Sequence, residues 1–324
     1  MRRAKTDWTC ILLQLGYLRN QLKKIMSRQL QGVLPVLHLP LHENQQIDFE
    51  TLRTEVDFAY QCGADGVVMA MVTEVLRLRE DERRQVAEKL VEFSDGRGAV
   101  VISVGAESTF MATELARHAE AAGADALMAI PPIATALGED QLRRYFHYVF
   151  AATDLPLVVQ DASSYVGKPM TATFQAQLFN DLGERVYFKP EAAPVGPVIS
   201  AIHQLTENKA GIFEGSGGSM LVENYRRGLT GTMPGTDLLD AIVALWRALK
   251  AGDEDRIYAI APLVTSILAL AVNLDAYLAI EKHLMRRRGI FKNEVVRGPV
   301  GFELDNMTRA EVDRLFERLM NAIV

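Results

Sequence analysis

Short apolar runs and longer segments of helical periodicity alternate along the chain from Gly32 onward. The eight strand candidates are 33–39, 66–71, 99–105, 126–130, 157–161, 186–191, 210–214 and 231–233. The helical patterns between them include 48–62, 80–93, 110–122, 139–152 and 171–180. Short buried strands separated by amphipathic helices are typical of a parallel sheet with right-handed crossovers.

The alternation also contains a repeated phrase. Cys-Gly-Ala-Asp-Gly at 62–66 and Ala-Gly-Ala-Asp-Ala at 122–126 each end a helix at glycine and begin a strand. Eight such units in roughly 210 residues fit an α/β (β/α)8 TIM barrel better than an open doubly wound sheet. No G-x-G-x-x-G follows the first strand. We therefore predict a barrel over 32–238.

The two ends of the chain have different patterns. Residues 239–324 are predicted to be helical, over 240–249, 254–270, 274–287 and 309–323, and to pack on the barrel or on a partner subunit. Residues 1–31 are basic and precede the strand pattern, so we expect an extension outside the fold, upstream of an alternative start at Met26. A secretory signal is disfavoured because the apolar run is short, and a transit peptide stays open.

Composition narrows the function classes. The formal charge of −6 argues against a nucleic-acid footprint, and the two cysteines are too few for a disulfide framework or a zinc cluster. No run reaches the 18 or so apolar residues of a membrane span. We expect a soluble, cytoplasmic protein with a small-molecule ligand. The histidines show no spacing that indicates a metal site, so none is predicted.

Lys189 is the most informative residue, because it lies inside an otherwise apolar strand pattern. Burial lowers the pKa of an amine, and a neutral amine attacks ketones to form a Schiff base. Strand alternation places Glu191 on the same face. In a barrel this face meets the mouth where chemistry occurs. A structural ion pair between the two side chains is the alternative.

Four motifs carry a resemblance to a known family. They are the strand-six lysine Lys189, Glu74 with the segment 76–83, Ser-Val-Gly-Ala-Glu-Ser-Thr at 103–109, and Ala-Ile-Pro-Pro at 129–132. Over roughly 32–299 the chain resembles the dihydrodipicolinate synthase and N-acetylneuraminate lyase family. The resemblance implies a lysine imine with a 2-oxo acid, no cofactor, and a homo-oligomer such as a tetramer.

Departures from the family pattern refine this expectation. Ala-Met-Val-Thr-Glu at 70–74 replaces Gly-Thr-Thr-Gly-Glu, Gln160 replaces the proton-relaying tyrosine, and Tyr165 replaces the arginine that captures a second carboxylate. Lysine-pathway synthase activity is therefore disfavoured. The combination of Gln160, Lys189 and Glu191 resembles the branch that includes 2-keto-3-deoxy-L-arabonate dehydratase, which implies dehydration of a 2-keto-3-deoxy sugar acid.

The expected roles follow from this chemistry. Lys189 forms the imine, Glu191 removes the C3 proton, and Gln160 orients the reacting groups. The expected substrate-binding residues are Val72, Thr73, Gly215, Met233, Asp161 and Tyr165. Asp161 could instead brace a loop. A pyruvate-dependent aldolase and a non-catalytic barrel that binds a 2-oxo acid are the alternative functions.

Overall fold

All eight predicted strands are present and pair in parallel. They are β1 (Gly32–Val33), β2 (Gly66–Met69), β3 (Ala99–Ser103), β4 (Ala126–Ala129), β5 (Leu157–Asp161), β6 (Val186–Pro190), β7 (Gly211–Glu214) and β8 (Gly231–Thr232). Their order is β1-β8-β7-β6-β5-β4-β3-β2. A bridge between Val36 and Val68 joins the first and second strands, which closes the barrel. The computed structural model, which describes residues 30–324, thus confirms the predicted TIM barrel.

Seven helices connect successive strands. They are α1 (Phe49–Cys62), α2 (Glu80–Ser94), α3 (Thr109–Ala122), α4 (Glu139–Ala151), α5 (Ala172–Leu182), α6 (Val195–Leu205) and α7 (Leu221–Tyr225). α1 begins at Asp48, whose carboxylate accepts a hydrogen bond from the Thr51 amide at 3.0 Å. Such a cap satisfies one of the free amides of the first turn.

The repeated Gly-Ala-Asp phrase has a structural role at both positions. Gly63 and Gly123 end α1 and α3 in the left-handed region, with φ of 95° and 96°. The aspartate two residues later then binds the start of a neighbouring strand. Asp65 accepts from the Val33 amide at 2.8 Å, and Asp125 accepts from the Val100 amide at 2.9 Å. The phrase therefore sets both the helix end and the strand register.

The C-terminal region consists of α8 (Leu239–Ala251), α9 (Glu254–Leu268), α10 (Leu274–Arg287) and α11 (Asn306–Ile323). α8 packs on β1 and α1 and is therefore the eighth helix of the barrel ring, although it lies beyond the predicted barrel segment. α9 and α11 pack against each other and against α8. α10 instead contacts the 3₁₀ turn Met71–Thr73 after β2, which brings it to the carboxyl ends of the strands.

Residues 31–324 form one compact unit. The predicted N-terminal extension falls, but for its last two positions, outside the described residues. Within the described part of the chain, no helix combines the length and the apolar character that crossing a bilayer requires.

Candidate active site

Lys189 and Glu191 meet at the carboxyl end of β6. Lys189 Nζ lies 2.8 Å from Glu191 Oε1, and their side chains are only 4% and 3% exposed. The Glu191 amide donates to the Asp161 carbonyl at 3.1 Å, which holds the residue beside the end of β5. The electrostatic attraction between an amine and a carboxylate this deeply buried is strong, because water does not screen it.

Gln160 completes this group from the neighbouring strand. It is paired in register with Lys189. Its Nε2 donates to both carboxylate oxygens of Glu191, at 3.3 and 3.2 Å. Burial raises the pKa of Glu191, while Lys189 and Gln160 oppose that rise. Glu191 is therefore a carboxylate whose proton affinity is increased, as a general base near neutral pH requires.

Gly215, which follows β7, is fitted closely against this pair. A Cβ at this position would lie 2.5 Å from Glu191 Oε1 and 2.8 Å from Lys189 Cε. Both distances are shorter than non-bonded contacts allow. Position 215 therefore requires glycine, because the side chains of Lys189 and Glu191 lie directly against its backbone.

A narrow cavity of about 30 Å³ lies beside the pair. Its lining residues come from the strand ends and from α10, and are Val36, Met71, Val72, Gln160, Tyr165, Lys189, Glu191, Gly215, Gly217, Met233, Pro234, Gly235, Leu274, Tyr277 and Glu281. Lys189 is the single cationic side chain in this lining of described residues. A wider groove beside α7 and α9 contains none of the predicted site residues.

The structure brings most of the predicted site together. Lys189, Glu191 and Gln160 are in contact, and four of the six predicted substrate-binding residues line the same cavity, namely Val72, Gly215, Met233 and Tyr165.

Thr73 and Asp161 have other partners. The Thr73 hydroxyl donates to the Leu37 carbonyl at 2.5 Å and accepts from the Ala70 amide at 3.0 Å, while its own amide donates to the Ala70 carbonyl. The Asp161 carboxylate accepts from the Ser163 and Met170 amides at 3.1 and 2.8 Å. Neither lines the cavity. Their role is to hold the loops after β2 and β5.

Helix α10 supplies two cavity residues that sequence patterns did not reveal, Tyr277 and Glu281. The ring of Tyr277 packs edge-on against Tyr165, with centroids 5.7 Å apart. Burial raises the pKa of Tyr277 to about 12, and burial followed by the charge of Glu191 raises that of Tyr165 well above its usual range. Both phenols are therefore neutral hydrogen-bonding groups at physiological pH.

Behind Glu281 lies a buried hydrogen-bond network centred on His38. The imidazole Nε2 is 3.0 Å from Glu281 Oε2, and Nδ1 is 2.9 Å from Glu55 Oε1 and 2.8 Å from the Thr236 hydroxyl. Burial disfavours the imidazolium, but Glu281 and Glu55 outweigh it and raise the pKa of His38 to about 10. No spacing signal could have found this contact, because 243 residues separate His38 from Glu281.

The Asp237 carboxylate lies next to this network. Ligand atoms of His38, Asp237 and Glu281 lie within 4.8 Å of one another, a spacing that metal sites also show. Both imidazole nitrogens already have hydrogen-bond partners, however, so the arrangement is that of a network that shares protons. Burial and the charge of Glu281 raise the pKa of Asp237 to about 7.

The chain matches the family model described as "Dihydrodipicolinate synthetase family" over residues 29–319. It is 27% identical over 298 residues to L-2-keto-3-deoxyarabonate dehydratase of Azospirillum brasilense, covering 89% of this chain and 94% of that protein. It is 33% identical to a 4-hydroxy-tetrahydrodipicolinate synthase of Methanococcus maripaludis, over 47% of this chain and 53% of that protein.

Comparison with solved structures indicates the same family. The crystal structure of dihydrodipicolinate synthase from Rhodopseudomonas palustris superposes with a TM-score of 0.81 and 26% identity, covering 90% of this chain and 98% of that one. The chain therefore belongs to the dihydrodipicolinate synthetase family, whose members are lyases that use a lysine Schiff base and need no external cofactor.

Proposed function

We propose that this protein dehydrates a 2-keto-3-deoxy sugar acid through an imine on Lys189. The observation that carries the proposal is the contact of Gln160 with Glu191, which itself contacts Lys189. An amide in place of a tyrosine cannot relay a proton, so proton transfer at C3 falls to the carboxylate. The similarity to the Azospirillum brasilense dehydratase over nearly its whole length supports the same reaction type.

The proposed chemistry begins with attack of neutral Lys189 on the C2 ketone. Glu191 accepts a proton from the amine at 2.8 Å, which generates the nucleophile. It returns this proton to the C2 oxygen, which leaves as water when the imine forms, so Glu191 is ionised again. Once the protonated imine has formed, it withdraws electrons from C3. Glu191 then acts as the base that removes a C3 proton, and Gln160 fixes its orientation through both oxygens. The C4 hydroxyl leaves as water.

The cavity also favours a particular substrate class. Beyond Lys189 the polar side chains at its wall are Gln160, Glu191, Glu281, Tyr165 and Tyr277. Such a set can hydrogen-bond hydroxyl groups, whereas a second carboxylate on the substrate would meet carboxylates and no guanidinium. We infer that the distal part of the substrate is hydroxylated and uncharged. Val72, Gly215 and Met233 then contact the 2-oxo acid end.

Two parts of the proposal extend beyond the active site. The partner is a small 2-oxo acid and not a nucleic acid, which would require a basic face where this chain has a net charge of −6. We also propose that the protein is a homo-oligomer, as is common in the family.

The first experiment traps the imine with borohydride, using pyruvate and then a panel of 2-keto-3-deoxy sugar acids. We expect a reduced adduct on Lys189 by peptide mass spectrometry, and none in Lys189→Ala. Lys209→Ala, which removes an exposed lysine paired with Glu207, is the matched control and should still form the adduct.

A product assay then separates dehydration from aldol cleavage, because dehydration keeps the carbon skeleton whole whereas cleavage releases pyruvate. No adduct with any 2-oxo acid would leave only the binding function. An adduct with release of pyruvate would replace the dehydratase by an aldolase.

A further inference from the structure

Two carboxylates from different elements line the same cavity, Glu191 from the end of β6 and Glu281 from α10. Dehydration needs two proton transfers, one from C3 to a base and one from an acid to the departing C4 oxygen. Glu191 is bound to Lys189 and Gln160 and is assigned the first transfer. Glu281 is the other carboxylate of the lining that could perform the second.

Glu281 contacts a group that can supply a proton. Its Oε2 lies 3.0 Å from His38 Nε2. The opposite edge of the imidazole is fixed by Glu55 and by Thr236. A carboxylate that contacts an imidazole in this way favours the protonated form of the imidazole. At neutral pH His38 therefore carries the proton and donates it toward Glu281.

The other oxygen of Glu281 approaches the cavity wall at Gly235. A Cβ on Gly235 would lie 2.8 Å from Glu281 Oε1 and 2.6 Å from Asp237 Oδ1. Because Gly235 lines the cavity, one oxygen of Glu281 is near the substrate space while the other contacts His38. Asp237 Oδ2 is buried without a hydrogen-bond partner. The donors around Glu281 and Asp237 are therefore too few to bind every carboxylate oxygen there.

We propose that Glu281 passes the proton to the leaving C4 hydroxyl, with His38 as the positioning residue whose imidazolium supplies that proton. This inference rests on the proposed dehydratase function. It assigns the two proton transfers of the reaction to two separate carboxylates.

Glu191 takes the C3 proton, and the electron pair of the C3–H bond forms the C3–C4 double bond conjugated with the imine. The imidazolium of His38 passes its Nε2 proton to the Glu281 carboxylate. Glu281 delivers this proton to the departing oxygen as the C4–O bond breaks with its electron pair, and that oxygen leaves as water. When the imine is hydrolysed, Glu191 gives the C3 proton to solvent and His38 takes one proton from solvent, so every group regains its starting protonation state.

Titratable and charged groups from every surrounding element face Glu281 or act on the network. They are His38 after β1, Glu55 on α1, Tyr165 after β5, Glu191 after β6, Asp237 after β8, and Tyr277 and Arg288 on or next to α10. The cations among these groups are His38 and Arg288, and of the two it is His38 that contacts Glu281.

The test compares two leaving groups in Glu281→Gln. With the hydroxyl substrate, loss of a general acid should lower kcat by about 10²–10⁴-fold. With the analogue that carries fluoride at C4, the rate should stay within about tenfold of wild type, because fluoride leaves without being protonated. Trapping of pyruvate on Lys189 should be unchanged. Glu191→Gln should lose activity on both compounds.

Glu254→Gln, which changes an exposed carboxylate paired with Arg226, is the matched control and should behave as wild type. Equal loss of rate on both substrates in Glu281→Gln, with trapping intact, would overturn the assignment of the acid. A wild-type enzyme that eliminates neither water nor fluoride would instead contradict the dehydratase function itself.

His38→Gln tests the positioning residue. The amide of glutamine can still donate a hydrogen bond to Glu281, but it cannot release a proton to it. We expect kcat to fall while KM changes little, and the alkaline limb of the kcat profile to move to lower pH. An unchanged profile with a general loss of rate would show a merely structural role for His38.

Discussion

The backbone of Gly215 runs so close to Glu191 that a single added carbon would lie 2.5 Å from Oε1 of that carboxylate. The contact connects the end of β7 with the pair at the end of β6. It limits the space around the carboxylate oxygen that also contacts Lys189 Nζ and Gln160 Nε2. The geometry of the reactive pair therefore depends on a position that has no side chain.

Gly215→Ala should accordingly damage catalysis more than stability. The methyl group displaces Glu191 and Lys189, and misplacement of reacting groups by about 1 Å costs on the order of 10²-fold in rate. We expect that loss in kcat by steady-state kinetics. Gly138→Ala is the control, because its added Cβ meets nothing within 4 Å. A Gly215→Ala enzyme with wild-type kcat would contradict the close approach.

Glu191→Gln should separate imine formation from proton abstraction. The amide keeps the shape of the side chain but removes the base, so kcat should fall by about 10²–10⁴-fold while an adduct with pyruvate still forms on Lys189. Burial raises the pKa of Glu191, and the carboxylate must be ionised to act as the base. The acid limb of the wild-type pH–rate profile should therefore lie above the usual glutamate range, and the residual activity of the variant should lack it.

The barrel, and the pairing of Lys189 with Glu191, could be predicted from sequence because both follow from local periodicity. Alternating apolar runs and helices specify parallel strands, and two-residue strand spacing places those side chains on one face. Gln160 was predicted from the position that the family gives to a tyrosine. Thr73 as a substrate-binding residue stays a prediction, and its hydroxyl donates to the Leu37 carbonyl, a partner that the sequence pattern does not indicate.

Tyr277 and Glu281 could not be predicted in the same way. A helical pattern shows which face is apolar but not which part of the barrel that face covers. The position of α10 depends on long-range contacts, among them the ion pair of Lys282 with Glu74. The partners of His38 could not be predicted for the same reason, because they come from α1, α10 and the loop after β8.

Asp237 gives the protein a stability that depends on pH. Its pKa is raised from the ordinary 3.8 to about 7, first by burial and then by the charge of Glu281. The folded chain therefore binds this proton more tightly than the unfolded chain, and the free energy of unfolding should fall as pH rises from about 4 to about 7. Asp237→Asn removes this contribution and should be more stable than wild type above pH 7.

Urea unfolding at pH 5 and pH 8 measures the effect of this substitution. The difference in stability between the two pH values should be smaller in Asp237→Asn than in wild type. Asp240→Asn provides the control, because Asp240 is partly exposed and pairs with Arg288. Equal pH dependence in wild type and Asp237→Asn would show that Asp237 is ionised in the folded protein throughout this range.

Lys282 should be important for the position of α10. Its Nζ lies 2.5 Å from Glu74 Oε1 and 2.6 Å from the Val295 carbonyl, and both side chains are essentially inaccessible to solvent. Lys282→Met leaves the buried Glu74 carboxylate with only the more distant guanidinium of Arg77, 4.0 Å from Oε2. Breaking a buried ion pair typically costs about 3–5 kcal/mol. We expect a loss of that size by chemical denaturation, together with weaker substrate binding.

The double variant Lys282→Met with Glu74→Gln distinguishes charge from packing. It removes the uncompensated carboxylate and should recover much of the lost stability. If the double variant were no more stable than Lys282→Met, the effect would come from packing and not from the buried charge.

The cavity is lined by residues from Val36 to Glu281, so its wall is drawn from nearly the whole described chain. During synthesis on the ribosome, Lys189 emerges long before the helix that carries Tyr277 and Glu281. Until α10 docks, a nascent chain has a lysine on its sixth strand but no enclosed site around it. Catalytic competence is therefore reached late, and an incompletely translated chain would be inactive even if its eight strands had already closed.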